Sequence, residues 1–264
     1  MMRTLPQGLF ALALCGFCAS PVLAENAETI ASDAAAPDSG WQFAVSPYLW
    51  MSGLKGDMGV VEQVEPVAVD LSFGDIFKHL KFAVMGSVEA RHDRFVTTID
   101  MMYISMSASD NIKIREVDFL DAKLKSKTFI ATATAGYRAV DKGRLYVDVF
   151  GGGRLNSMKT GLDLEGPQRS FSGSKSETWL DPVVGVRFQA PLGEHWSVKT
   201  YGDVGGFGIS SHITWQVYGL IEYDVSRSWS LSGGWRHLKT DFDHKGFVFD
   251  AAMDGPILGA TYRF

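Results

Sequence analysis

The C-terminal stretch GPILGATYRF, residues 255–264, decides the fold because its side chains alternate between two faces up to the last residue. One face carries Pro256, Leu258, Ala260, Tyr262 and Phe264, and the other carries Ile257, Gly259, Thr261 and Arg263. A period of two is that of a β-strand, in which successive side chains point to opposite sides. The stretch therefore predicts a strand with one continuous apolar face.

The same period of two recurs in ten segments, which are separated by clusters of Gly, Asp, Asn and Ser. The segments are residues 41–53, 81–92, 95–107, 128–140, 144–156, 178–190, 196–208, 213–224, 229–239 and 247–264. About ten residues allow a tilted β-strand to cross a bilayer. We therefore predict an all-β fold, a transmembrane up-and-down antiparallel β-barrel of ten strands over residues 40–264, with eight or twelve strands as alternatives.

Alternation alone would also fit a soluble β-sandwich, but two features favour a membrane barrel. Aromatic residues lie near the strand ends on one side, as interfacial Trp and Tyr do; they are Trp41, Phe95, Trp196, Tyr223, Trp229, Tyr262 and Phe264. Turns on that side are short, at 92–94, 141–143, 192–195 and 225–228, whereas three alternate connections are long, at 54–80, 108–127 and 157–177. Short periplasmic turns and long external loops predict an outer-membrane location with both termini in the periplasm.

The N-terminal segment has the layout of a secretory signal peptide, with Arg3 before an apolar run and Ala24 at a suitable cleavage site. We predict a signal peptide over residues 1–24 and a leader without regular structure over 25–39. Both cysteines, Cys15 and Cys18, lie in the predicted signal peptide, so we expect no disulfide in the mature chain. The net charge of −5 argues against a nucleic-acid partner.

Charged side chains fall on the face opposite to the apolar one, and a barrel would turn that face towards its lumen. Eight cations and six anions are predicted to line it: Lys81, Arg91, Arg138, Arg154, Arg187, Lys199, Arg236, Arg263, Glu89, Asp100, Asp148, Asp181, Asp203 and Glu222. An Arg or Lys at the bilayer midplane would cost about 2 to 4 kcal/mol, which favours the inward placement. We expect a packed ion-pair network, or alternatively a constricted path of weak ion selectivity.

The first long connection contains a short amphipathic helix signal. Phe73, Ile76, Phe77 and Leu80 recur at helical spacing, and Ser72 is a candidate cap. Such a helix could plug the lumen or rest on the rim of the barrel.

Three prolines fall inside predicted strands, at Pro47, Pro182 and Pro256. A proline removes one hydrogen bond from a β-ladder, so a closed barrel accommodates it poorly in a continuous strand. We expect bulges or strand ends at these positions.

The candidate catalytic residues are histidines and carboxylates of the predicted loops. The best cluster is Asp241, Asp243 and His244, because a carboxylate beside a histidine can orient a general base. Ser211 and His212 form a weaker pair, since neighbours in a strand point to opposite faces. No histidine has metal-ligand spacing and no phosphate-binding glycine loop occurs, so we expect no metal and no cofactor. We predict a protein that is not an enzyme, with a loop-sited hydrolase as the alternative.

The chain resembles a family of small proteobacterial outer-membrane barrels without an assigned substrate, within the porin-like, OmpA- and OmpW-like superfamily. The resemblance rests on residues 41–50 with Pro47 and Tyr48, on residues 71–80 with Asp75, and on residues 255–264. It implies a Gram-negative envelope protein with a structural or surface role, or a narrow porin-like channel. It also implies outer-membrane lipid, lipopolysaccharide and the barrel-insertion machinery as partners, the last through the C-terminal strand.

Overall fold

The computed structural model describes residues 40–59, 66–110, 113–114, 117–118, 121–165 and 170–264. The predicted signal peptide, residues 1–24, and the leader, residues 25–39, lie outside the described residues.

The described chain forms fourteen strands and one helix. They are β1 (Trp41–Trp50), β2 (Gly53–Gly59), β3 (Val67–Leu71), α1 (Phe73–His79), β4 (Leu80–His92), β5 (Phe95–Asp110), β6 (Lys113–Ile114), β7 (Val117–Asp118), β8 (Asp121–Lys142), β9 (Leu145–Glu165), β10 (Ser170–Pro191), β11 (Trp196–Gly205), β12 (Ile213–Asp224), β13 (Trp229–His244) and β14 (Phe247–Arg263). Among the described residues, no helix is long and apolar enough to cross a membrane.

Ten of these strands form a closed antiparallel barrel. The ring runs β1, β4, β5 and β8 to β14, each paired with the next, and the β1–β14 ladder closes it. The structure therefore confirms the predicted all-β barrel of ten strands. β2 and β3 extend the sheet from β14, and β6 pairs with β7 in a separate ladder. We call the end with the short turns the turn side and the opposite end the loop side.

The two faces of the barrel wall differ in the sense expected from the alternation. Apolar side chains of the outer face are exposed, as shown by Val186 at 54% and Leu258 at 54% exposure. On the inner face, Arg154 and Asp181 have 0% exposure. The barrel thus turns its charges inward and its apolar side chains outward, the reverse of a soluble protein.

Each of the three prolines lies where a ladder ends or is interrupted. The β1–β4 ladder ends at the pair Pro47–Gly86, and the β10–β11 ladder begins one residue after Pro182. Pro256 faces the break between β1 and β2, where its carbonyl accepts a hydrogen bond from the Met51 amide. The ring can accommodate these prolines because each one lies beside a missing stretch of ladder. On that side its backbone needs no hydrogen-bond partner.

Two of the three long connections differ from the predicted loops. β8, β9 and β10 run for 22, 21 and 22 residues, so paired strands occupy most of residues 108–127 and 157–177. About 9 to 11 residues cross a bilayer, so these strands extend well beyond one crossing on the loop side. Polar residues on both faces hid these extensions, because a period of two is visible only where one face is apolar.

The predicted helix forms, with one correction. α1 covers Phe73–His79, with Ser72 as the N-cap and Asp75 completing a capping box. Leu80 lies outside the helix, begins β4 and packs against an apolar cluster inside the barrel. No helix residue is buried, and α1 contacts β2, β3 and β5. The helix therefore rests at the loop side.

A glycine in β9 provides a sharp test of the ladder. A Cβ atom on Gly152 would overlap the backbone of Ala133 in β8, whereas one on the adjacent Gly151 would lie 3.7 Å from its nearest neighbour, the Val183 carbonyl oxygen. We expect Gly152→Val to lower the ratio of folded to unfolded protein at least tenfold, since backbone cannot move without breaking the ladder. Gel mobility of unboiled refolded protein measures this ratio. Gly151→Val is the matched control, and equal folding of the two variants would contradict the ladder.

The capping box of α1 predicts a pH dependence confined to the helix. Hydrogen bonds from Ser72 hold the pKa of Asp75 below its ordinary value. A lowered pKa means that the carboxylate stabilises the helix above the ordinary pKa of about 3.9 and that this stabilisation is lost as the pH falls through the lower, folded value. We expect amide exchange of residues 73–79, followed by mass spectrometry, to increase several-fold over that range relative to Asp75→Asn at the same pH. Identical protection of the two chains at pH 7 would show that the carboxylate does not cap.

Candidate functional site: the barrel lumen

The turn side of the lumen holds a cavity of about 920 Å³, which we call the vestibule. Residues of three short turns line its mouth, at 143–144, 194–195 and 226–227. Deeper, its walls carry charged and aromatic side chains of the inner face. The vestibule is therefore reached from the end of the barrel at which both ends of the described chain lie.

One wall carries an ion-pair cluster around Asp148, which is 2% exposed. Arg138 donates to one oxygen of Asp148 at 2.8 Å, and Arg187 donates to the other at 2.6 Å. Arg187 also bonds to Glu89, and the Arg138 guanidinium lies 3.8 Å from the centre of the Tyr146 ring. Two arginines sharing one carboxylate satisfy its lone pairs while the aromatic face shields a cation, which suits a site with little water.

A second cluster surrounds Glu222, which is 1% exposed. Lys199 donates to one of its oxygens at 2.9 Å, and Arg263 donates to the other at 2.7 Å. Arg144 bonds to the neighbouring Asp224 at 3.0 Å, near the mouth. Charges of the β8–β9 turn, β11, β12 and β14 are thereby joined.

Three aromatic rings stack between these clusters. The ring centres of Phe150 and Tyr201 are 5.0 Å apart, and those of Tyr201 and Tyr218 are 4.8 Å apart, with nearly parallel planes. The stack needs a glycine beside it, because a Cβ on Gly185 would come within 2.6 Å of the Phe150 ring. Phe150, Tyr201 and Tyr218 give the vestibule an apolar surface among its charges.

Arg236 forms the inner end of the vestibule. Its guanidinium donates to Asp100 and to the Tyr48 hydroxyl, both at 2.8 Å, and to Gln216 at 2.7 Å. On its far side the same cation lies 4.7 Å from the centre of the Trp50 ring. Arg236 thus marks the level at which the inner face changes from charged to apolar.

Beyond Arg236, apolar side chains from strands around the barrel meet across the lumen. We call this layer the seal; it consists of Trp50, Met85, Met102, Ile104, Ile130, Leu238, Met253 and Ile257. Trp50 is 2% and Met102 is 1% exposed, and the Trp50 indole donates to the Gly255 carbonyl at 3.2 Å. Of the eight seal residues, which all lie in the described part of the chain, Ile257 alone lines the vestibule. The seal therefore separates the vestibule from the loop side.

Two buried polar groups stand beside the seal. Arg154 pairs with Asp203 at 2.5 Å and donates to Thr132 and Thr214. Asp181 has no cationic partner among the described residues and instead accepts hydrogen bonds, from the Ser211 amide at 2.8 Å and hydroxyl at 2.7 Å, and from Trp179 and Asn156. Four donors thus satisfy the buried carboxylate in place of a cation.

An aromatic cluster follows towards the loop side. It consists of Met158, Trp179, Phe242, Phe247, Phe249 and Ala251, and the rings of Trp179 and Phe242 stack with centres 4.0 Å apart. The interior is therefore layered from the turn side as vestibule, Arg236, seal and aromatic cluster.

Thirteen of the fourteen predicted lumen charges lie on the inner face with the partners given above or, for Arg91, with Gln42 and Asp141. The prediction for Lys81 is wrong. A register shift in the β4–β5 ladder between Leu80 and Phe82 makes Lys81 an extra residue, which is exposed, while Leu80 packs against the seal. A bulge changes the side of the sheet to which the residues beyond it point. Counting alternate residues outward from the middle of the strand therefore assigns the wrong face at the bulge.

The sequence prediction missed the seal. The seal was nevertheless visible in the sequence, at the inward-facing positions of three strands. At these positions Ser46 and Tyr48 are followed by Trp50, Asp100 is followed by Met102 and Ile104, and Arg236 is followed by Leu238. Along each strand the inward residues change from polar to apolar towards the loop side. The prediction treated the inner face as uniform, and so expected an ion-pair network throughout.

The β12–β13 ladder brings the His212 amide to 2.8 Å from the Asp241 carbonyl oxygen, but no hydrogen bond or ion pair joins the side chains of the candidate catalytic residues within the described part of the chain. Asp241 pairs with Asp250 across the β13–β14 ladder, whereas His244 lies 3.9 Å from Glu177. Ser211 is buried and bonded to Asp181, while His212 is exposed. Within the described ranges no group of three or more His, Cys, Asp or Glu side chains is placed to bind a metal ion.

No protein-family model matches the chain, and no curated protein matches it. Solved structures are similar to it at low identity. The outer membrane protease OmpT from Escherichia coli is 9% identical, with 86% of this chain and 98% of that chain covered and a TM-score of 0.46. The translocator domain of the autotransporter NalP from Neisseria meningitidis is 12% identical, with 87% and 90% covered and a TM-score of 0.44. The attachment invasion locus protein Ail of Yersinia pestis is 11% identical, with 86% and 99% covered and a TM-score of 0.33. The barrel architecture follows from the strand ladders, and these similarities add nothing about activity.

Proposed function

We propose that the chain is an integral outer-membrane β-barrel of a Gram-negative bacterium, with a closed lumen and a non-enzymatic structural or surface role. The observation that carries this proposal is the seal, in which eight apolar side chains meet across the lumen behind Arg236. Water and ions enter a path lined by charges far more readily than one filled by packed apolar groups. The vestibule is then a recess open at one end.

The outer face supports the membrane placement. Aromatic residues are exposed at the turn side, among them Trp41 at 60%, Phe95 at 66% and Trp229 at 49%. Exposed aliphatic side chains follow them along the strands, including Ile99, Val149, Val184 and Leu258. An apolar band bordered by aromatic rings fits a bilayer and would drive aggregation in water. We place the turn side in the periplasm, and with it the described N-terminal strand and the C-terminus.

The loop side supports a surface role. β8, β9 and β10 continue as paired strands far past one bilayer crossing, so they carry a sheet outward from the membrane. We include the chain in the family of small proteobacterial barrels that its sequence resembles. Its partners are outer-membrane lipid, lipopolysaccharide and, through the strand that ends at Phe264, the barrel-insertion machinery.

The closed lumen predicts silence in planar bilayers. We expect the refolded full chain to show no conductance steps and Trp50→Ala/Met102→Ala to show reproducible steps, because two large seal side chains are removed. Leu49→Ala/Met101→Ala is the matched control, since it alters the preceding residues, which are exposed at 49% and 44% on the outer face. Single-channel recording measures the difference.

Openings of the unaltered chain would support the narrow channel instead. Replacing residues 75–79 by a Gly-Ser linker tests the helix in the same assay and leaves Leu80 in place, and we expect silence, because no side chain of α1 lines the vestibule among the described residues. A folded but silent seal variant would contradict the assignment of the closure to Trp50 and Met102.

A structural role for the lumen charges predicts unequal effects of single and double substitutions. Arg154→Met leaves Asp203 buried without its cation, so we expect a loss of about 3 to 5 kcal/mol in the free energy of unfolding. Arg154→Met/Asp203→Asn removes both charges, and we expect it to recover most of that loss. Urea unfolding of the barrel in vesicles, followed by tryptophan fluorescence, measures both values. Additive losses in the double variant would contradict a structural pair.

A further inference from the structure

At the loop side, basic and hydroxyl side chains occupy aligned outer-face positions on β5, β8, β9 and β10. The strand register aligns Phe82 in β4, Ser105 in β5, Lys127 in β8, Lys159 in β9 and Ser176 in β10. Lys81 precedes Phe82 at the β4 bulge and is exposed. We call Lys81, Ser105, Lys127, Lys159 and Ser176 the lysine row.

The height of the lysine row along the barrel is set by its neighbours. The outward positions one step nearer the turn side are Tyr103, Phe129, Ser157 and Thr178, which the register also aligns. The Phe82 and Tyr103 rings lie 6.1 Å apart, and Ser157 and Thr178 share a hydrogen bond of 2.8 Å. Aromatic rings at the end of an apolar band sit at the level of lipid headgroups. The lysine row therefore begins where a lipid phosphate would lie.

Lys127 and Lys159 oppose each other directly in the β8–β9 ladder. Directly opposed residues have Cβ atoms about 4.5 to 5.5 Å apart, and like charges in that arrangement repel. Both lysines are exposed, and neither has a carboxylate partner among the described residues. Within the described side chains of β4, β5, β8, β9 and β10, no Asp or Glu lies on the outer face of the loop-side half. An anion between the two ammonium groups would remove the repulsion.

Lysines on the other strands of the loop side are arranged differently. Lys55 in β2 pairs with Asp70 at 3.1 Å, and Lys239 in β13 pairs with Asp250. On one flank Lys55 and Lys239 are thus paired with acids, whereas the lysines of the lysine row have no acidic partner among the described side chains. Ser105 and Ser176 add two hydroxyl groups, which can donate to phosphate oxygens.

We propose that the lysine row binds the phosphate group of a membrane lipid headgroup, with Lys127 and Lys159 holding it from two sides and Lys81 reaching a neighbouring oxygen or a second phosphate. This site rests on the proposed membrane placement and goes beyond it, because it assigns one flank of the barrel to phosphate-bearing lipid. A compact ammonium group is suited to phosphate as a point charge.

Native mass spectrometry of the refolded full chain in detergent micelles tests the site, with phosphatidic acid as the probe and diacylglycerol of the same acyl chains, which lacks the phosphate, as the reference lipid. A lysine near an anionic headgroup contributes about fivefold in affinity, so two contribute about 30-fold. We expect Lys127→Gln/Lys159→Gln to bind phosphatidic acid about 30-fold more weakly than the unaltered chain, and Lys81→Gln about fivefold more weakly.

The matched control is Lys55→Gln/Lys239→Gln, which removes the same charge from the same side of the barrel, and we expect it to retain affinity. Equal losses in the two double variants, or equal binding of the two lipids by the unaltered chain, would overturn the proposal. Displacement of the lipid by inorganic phosphate would assign the row to free phosphate and overturn the proposal as well. Failure of the unaltered chain to insert into phosphatidylcholine vesicles would contradict the membrane placement, whereas insertion without lipid preference contradicts the lysine row alone.

Discussion

Closure of the strand ring between β1 and β14 is the constraint on which the rest of the molecule depends. In an apolar surrounding every backbone N–H and C=O must find a partner within the chain, and a closed antiparallel ring satisfies this requirement without an edge. The ladder from Ala44–Arg263 to Trp50–Ile257 provides that closure. Once the ring is closed, each residue of a strand has one of two places, inside or outside, and the period of two in the sequence becomes a division between lumen and exterior.

The inside of a ten-stranded ring is narrow, so its side chains are packed closely together. Charged and apolar side chains are accommodated there in different ways. On the turn side, Arg187, Glu89 and Asp148 are held by mutual pairing, because a buried charge without a partner would be costly. On the loop side, Trp50 and Met102 fill the same cross-section with apolar volume. Arg236 joins the two halves, since it donates to Asp100 on one side and faces the Trp50 ring on the other. A charged layer and an apolar layer are therefore compatible in one lumen.

The fold could be predicted from the sequence wherever the alternation of apolar and polar residues is visible. Strand β14 and the nine other barrel strands were predictable because lipid-facing positions must be apolar and their neighbours need not be. Thirteen inward charges followed from parity alone. The extensions of β8 to β10 were not predictable, since beyond the apolar band both faces of a strand are polar and the period disappears. The seal was hidden for the opposite reason, because apolar residues such as Met102 and Ile104 stand on the inner face beside apolar outer neighbours.

The extra residue at the β4 bulge affects the side chains on both faces of the barrel wall. Without the register shift, Leu80 and Phe82 would lie on the same face, and Lys81 would point into the apolar layer. A lysine at that depth would face Met85 and Met102 with no carboxylate nearby among the described residues, an arrangement that burial penalises strongly. The extra residue instead lets Leu80 pack against the seal while Phe82 remains outward at 57% exposure. As a result, Lys81 lies exposed at the loop side, at the level of Lys127. The local break in the ladder therefore adds Leu80 to the apolar surroundings of the seal and leaves Lys81 exposed.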